Sequence, residues 1–351
     1  MISAKNKNKN KNVHFSDCIF LHFSKLFYYL LFYYYKELDT WENDNIPKVS
    51  VDCNSLFFDQ LEYKTRQKKT ITITNTGQVA ATFRFVPKLE DDYICKPWLS
   101  LTPSFSMLLP NESIQVHVEA NVGSTVANGL NHSNEILDDI LVMRLENGRD
   151  YFILISGVHV PSCFGASLES LIAKEGVSHV PREIWRLVNA LYTQPQSLDT
   201  EGLFVESGSK NELINIRQNL DNQNQLSSNT SSHSLAESLL ELLDSLADTV
   251  VPGTFYDALS TLGTGSVNVS TWCERFLTQL PTMNHNLFVY LVAFLKELLQ
   301  HSERNNLNVN LLSTVFSSIF VRSSYVAKRD EKAITDARKG MCICLKFFLG
   351  R

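Results

Sequence analysis

The chain has 351 residues, 44 % of them apolar and 20 % charged, a composition that fits a globular protein with room for two ordinary domains. A net charge of −5 and a pI near 6.0 exclude the basic surface that non-specific nucleic-acid binding requires. The seven cysteines are scattered, and Cys342-x-Cys344 has no second pair or histidine beside it, so free thiols in a reducing compartment and no metal are expected. No phosphate-binding glycine loop, Ser-His-Asp set or paired-carboxylate signature stands out, and no cofactor is expected.

Residues 1–34 differ from the rest. Residues 4–12 are the low-complexity run AKNKNKNKN, and residues 19–35 read IFLHFSKLFYYLLFYYY. A membrane span needs about 20 apolar residues, and this shorter run is broken by His22, Ser24 and Lys25. Asp17, Lys25 and the lack of a small-residue cleavage site disfavour a signal peptide. Lys, Asn, Phe, Tyr and Ile are what AT-rich DNA encodes, so the segment also reads as a spurious or altered start. Residues 35–47, YKELDTWENDNIP, read as the end of a helix running to a proline stop.

Residues 48–170 read as an all-β unit. In KKTITITNTG (68–77) Ile71 and Ile73 share one face, Thr70, Thr72 and Thr74 the other, and Asn75-Thr76-Gly77 supplies a turn. Alternation resumes in VAATFRFVP (79–87), and further strands are predicted at 113–120, 135–146 and 150–160. Short strands at this spacing, parted by Pro87, Pro97, Pro103 and Pro110, indicate an antiparallel sandwich of immunoglobulin-like type.

Residues 176–351 switch to the helical period. VPREIWRLVNALY (180–192) places Ile184, Leu187, Val188 and Leu191 on one face. Helices are also predicted at 234–247, 286–300 and 307–320, with a polar loop at 221–232 and a short linker around Lys174–Ser178 before the first of them.

The most informative stretch is Glu201-Gly202-Leu203-Phe204-Val205-Glu206-Ser207-Gly208. It resembles the E-G-[IL]-F-R-x-S-G loop of Rho GTPase-activating domains. In those domains the arginine enters a partner GTPase and raises hydrolysis by about 10³ to 10⁵, about 4–7 kcal/mol of barrier. Val205 stands at the arginine position and carries neither charge nor donor. In the same resemblance Leu240 replaces a lysine, Asp244 an arginine, Leu311 an asparagine and Ser318 a proline.

Taken together, the two halves resemble the C-terminal part of the Lowe-syndrome (OCRL) type of inositol polyphosphate 5-phosphatases, an ASH sandwich followed by a Rho GAP-like helical domain. The likeness is carried by ITNTGQVAATFRFVPK (73–88), CKPWL (95–99), VPSCFGASLE (160–169), VPREIW (180–185) and the NVNLLSTVFSSIFVR run (308–322). The family's phosphatase motifs, G-D-x-N-[FY]-R and S-x-x-D-H-x-P, are absent from these 351 residues. The linker is shorter than in the relatives, so a clathrin-binding segment there is not expected.

The resemblance implies three binding positions. Asn75 and Phe152 match positions that contact Rab GTPases, and Trp185 matches a tryptophan lining a groove for adaptor peptides that carry a Phe and a His. On the residues alone, Asn75 also reads as a plain turn residue, and Phe152 and Trp185 as ordinary packing. His233 reads as a helix-start or packing residue, and Lys210 as a poor substitute for an arginine. The expected function is a non-catalytic module for Rab and Rho-family GTPases and adaptor peptides. It would be cytoplasmic and held at endosomal or Golgi membranes through its partners. The alternatives are a fragment of a phosphatidylinositol 4,5-bisphosphate 5-phosphatase and a weakly active Rho GAP.

Overall fold

The computed structural model describes residues 26–38, 45–132, 135–173, 180–263, 268–323 and 330–350. The expected linker at 174–178 and most of the 1–34 segment lie outside them. Residues 26–38 form the first helix, α1, and all of its side chains are exposed.

Nine strands follow: β1 (Val49–Val51), β2 (Ser55–Leu61), β3 (Gln67–Asn75), β4 (Ala81–Val86), β5 (Leu99–Thr102), β6 (Phe105–Leu108), β7 (Ser113–Ala120), β8 (Leu137–Leu145) and β9 (Asp150–His159). They make a four-stranded sheet in the order β1-β3-β7-β5 and a five-stranded sheet in the order β2-β9-β8-β4-β6. One pairing departs from the antiparallel expectation, because β2 runs parallel to β9. The predicted alternation is realised. Ile71, Ile73, Phe83, Phe85, Ile153 and Ile155 all face the core between the sheets. A short helix, α2 (Ser124–His132), joins β7 to β8, and α3 (Leu168–Ala173) follows β9.

The helical half contains α4 (Arg182–Thr193), α5 (Lys210–Asp221), α6 (Ser232–Ser245), α7 (Tyr256–Gly263), α8 (Val269–Gln279), α9 (Thr282–Gln300), α10 (Ser302–Asn305), α11 (Val309–Phe320) and α12 (Glu331–Leu349). Helices α5, α7, α8, α10 and α12 were not predicted. The apolar stripes of α5 and α8 are diluted: α5 offers only Leu213, Ile216 and Leu220 to the core, and α8 only Cys273 and Phe276.

The segment VPSCFGASLE ties the halves together. Phe164 stacks on Tyr63 of the sandwich at 4.9 Å and 17°. Gly165 has φ +82°, and a Cβ there would lie 2.6 Å from that of Ala127, so the close approach requires glycine. The Gly165 N–H donates to Ser245 Oγ at 3.2 Å, and the Ala247 N–H to the Ala166 carbonyl at 3.0 Å. Lys64 and Arg217 both pair with Glu241, at 2.8 and 3.0 Å. Both halves thus contribute to one continuous core.

Candidate functional site

The loop at 201–208 is held in a strained shape. Gly202 has φ +72° and Phe204 φ +69°. The left-handed region is costly for a bulky residue, by about 1–3 kcal/mol. Ring packing offsets that cost, because Phe204 meets Phe316 of α11 edge-on at 5.2 Å and Phe294 of α9 at 6.2 Å. The Val205 and Glu206 N–H groups both donate to the Gly202 carbonyl at 2.9 Å. With Phe204 pinned inward, Val205 points out and is 59 % exposed.

Both ends of the loop are clamped. The Gly208 N–H donates to Glu237 Oε2 at 2.6 Å, and the Ser209 N–H to Ser234 Oγ at 3.0 Å, both on α6. Ser234 and Ser231 in turn donate to Glu212 Oε2 at 2.5 and 2.8 Å. These hydroxyls, Ser234 foremost, hold the Glu212 carboxyl below its usual range. At the other end Asn306 Nδ2 donates to Glu201 Oε1 at 2.6 Å, just before α11. Sequence reasoning missed Glu212, Glu237 and Ser234, which are ordinary helix residues until the loop is placed against them.

Helices α6 and α11 flank the loop and carry the other two positions singled out. Leu240 and Leu311 are half-buried and pack against the core edge. Asp244 is exposed, 3.5 Å from Arg322 Nε, and the Ser318 hydroxyl donates to the Val315 carbonyl at 2.6 Å. None of Val205, Leu240 and Leu311 offers a charge or a side-chain hydrogen bond. His233, the second residue of α6, sits 3.8 Å from Glu206, and its Nδ1 has no hydrogen-bond partner among the described residues for relay chemistry.

Asn75 requires a correction. Its side chain is fully buried and is no direct contact for a partner. Its Nδ2 donates to the Val79 and Leu108 carbonyls at 2.8 and 2.9 Å, and its Oδ1 accepts the Gly77 N–H at 2.9 Å. Asn75 therefore builds the β3–β4 turn and ties it to β6. Phe152, by contrast, is 61 % exposed on β9. Leu154 and Val158 beside it, Ile140 on β8 and Phe57 on β2 are exposed too, and Leu154 is paired with Ile140. The outer face of the other sheet carries Thr70, Thr72, Thr74 and Gln115 instead. An apolar outer face is thus found on one sheet only. The signal was legible in DYFILISGVHV, which is apolar at both alternations.

Trp185 is half-exposed on α4, on the side away from Ile184, Leu187, Val188 and Leu191. Tyr192, two turns on, shares its face and meets Phe294 edge-on at 5.6 Å.

A sandwich joined to a helical unit with a finger-type loop defines a two-domain ASH–RhoGAP protein. The inositol polyphosphate 5-phosphatase OCRL-like ASH domain matches residues 51–159, and the RhoGAP domain matches residues 181–325. The chain thus carries an OCRL-like ASH domain followed by a RhoGAP domain, and its 351 residues hold no phosphatase region. Mouse type II inositol 1,4,5-trisphosphate 5-phosphatase is 32 % identical over 346 residues, 90 % of this chain and 34 % of that protein. The chain thus spans about a third of that relative's length. Mouse Rho GTPase-activating protein 22 is 29 % identical over 172 residues, 45 % of this chain and 24 % of that protein. The crystal structure of human Rho GTPase activating protein 15 superposes with a TM-score of 0.46 at 18 % identity, covering 53 % of this chain and 90 % of that one.

Proposed function

We propose that the chain is a non-catalytic docking module for small GTPases. The helical domain would engage Rho-family GTPases without accelerating hydrolysis, and the Phe152 face would take a Rab GTPase. The Trp185 face would take an adaptor peptide carrying a Phe and a His. Through these partners the protein would be held, from the cytoplasm, at endosomal or Golgi membranes. The observation that carries this reading is Val205. It is presented outward on a braced loop, and the family resemblance matches it to the position where a catalytic loop needs a cation. A GTPase could dock on such a loop, but the transferring phosphoryl group would meet only a methyl-bearing side chain.

Single-turnover GTP hydrolysis by Rac- and Cdc42-type GTPases, with and without the full chain, tests it. Binding with less than about tenfold stimulation is expected, because an arginine supplies 10³ or more. Larger stimulation would make the chain a working GAP.

Coverage of only 34 % of the mouse 5-phosphatase favours a second reading, a piece of a longer phosphoinositide phosphatase. Transcript sequence upstream of Met1 tests this. An open frame carrying the phosphatase motifs into Tyr35 would establish it.

A further inference from the structure

Helix α1 buries none of its side chains. Eleven of its thirteen residues are Leu, Phe or Tyr, and their exposure runs from 38 % at Leu38 to 73 % at Tyr28. At 100° per residue Tyr28, Tyr29, Tyr33, Tyr34 and Tyr35 spread around the axis, so the helix has no polar side. A helix apolar all round needs apolar surroundings on every side. A protein groove, or the one-sided Phe152 face, would cover a single stripe and leave the rest in water.

We propose that α1 enters the headgroup–acyl boundary of an anionic lipid leaflet and so attaches the ASH–RhoGAP pair to a membrane directly, without a protein partner. Three observations favour lipid. The thirteen described residues of α1 extend about 20 Å against a hydrocarbon core of about 30 Å, which fits entry into one leaflet; no helix among the described residues is long and apolar enough to cross. Tyrosine favours the headgroup level, where its ring is dry and its hydroxyl is wet. The charge also fits: residues 1–38 contain Lys5, Lys7, Lys9, Lys11, Lys25 and Lys36 against Asp17 and Glu37. Such a basic run is drawn to an anionic surface.

The test is co-sedimentation of the full chain with vesicles of phosphatidylcholine alone and of phosphatidylcholine with phosphatidylserine. The variant Phe27→Ser/Leu30→Ser/Leu31→Ser/Phe32→Ser is run in parallel. It changes four directions around a helix whose side chains are exposed among the described residues, so the melting of both domains should not move. The wild type should partition to the anionic vesicles at least about tenfold more than the variant, and added salt should weaken it. Equal partition of the two proteins, or none, overturns the proposal. So does sedimentation of the wild type without vesicles, which would mean self-association. Unchanged vesicle binding with tighter GTPase binding by the variant would place α1 on the Phe152 face instead, and would also overturn it.

Discussion

Phe204 meets Phe316 edge-on at 5.2 Å while its own backbone sits at φ +69°. The contact holds a strained residue in place and turns the next one, Val205, toward solvent. Phe204→Ala should lose this anchor and cost about 3–5 kcal/mol. Differential scanning calorimetry measures the loss, and proteolysis should reach the freed loop. Val205→Arg restores the charge while Leu240 and Leu311 stay apolar, so GTPase stimulation should remain well below that of an active GAP.

Gly208 lies against α6, where a Cβ would sit 2.4 Å from Ser234 Oγ and 2.5 Å from Ser234 Cα. Backbone cannot retreat as a flexible side chain can. Gly208→Ala should therefore destabilise by about 1–3 kcal/mol, read by urea denaturation, and weaken Rho-family binding by displacing the loop.

The two residues that the family resemblance assigns to Rab contact should separate cleanly. Asn75→Lys buries a charge and removes three hydrogen bonds, so the sandwich should unfold or melt far lower. Phe152→Val should leave the melting temperature nearly unchanged and weaken binding of a GTP-loaded Rab by about 1–3 kcal/mol. Calorimetric titration beside thermal melts decides. A Phe152→Val variant that binds normally would remove this face from the proposed function.

Glu212 sets a pH dependence. Its carboxyl is held below its ordinary value of 4.5 by the hydroxyls of Ser234 and Ser231. A lowered folded-state value means that its stabilising contribution is present above the ordinary value and lost as pH falls through the lowered one. The melting temperature of Glu212→Gln should therefore approach that of the wild type as pH drops below about 4.5 and lie below it at neutral pH.

Asp221 has the opposite sign. Its half-buried carboxylate accepts the Cys163 N–H at 2.7 Å and the Ser162 hydroxyl at 3.0 Å across the domain junction. Burial is the largest influence on it and raises its pKa above the ordinary 3.8. Its contribution is thus complete below that value and declines as pH rises through the raised one. Asp221→Ala should cost about 2–3 kcal/mol by orphaning two donors. Asp221→Asn keeps an acceptor, and its stability relative to wild type should improve as pH rises above 3.8, measured by denaturation across a pH series.

The sequence by itself determined the two-domain order and the buried faces of β3, β4 and α4, and it put Val205 where the resemblance expects an arginine. Each of these is local: a period of two or 3.6 residues, or a loop motif read in place. The same period extends from Ile71 and Ile73 to Asn75 and points it inward, but turn chemistry and the family resemblance both drew attention to its surface role. Only the tertiary structure decided what depends on distant neighbours. Both faces of β9 are apolar, so which of Phe152 and Ile153 is core was settled when the second sheet covered one side. The parallel pairing of β2 with β9, the Glu212–Ser234 brace and the Phe164–Tyr63 stack join residues 22 to about 100 positions apart. No local pattern encodes such pairs, because the free energy that selects them arises only when the two surfaces leave water together.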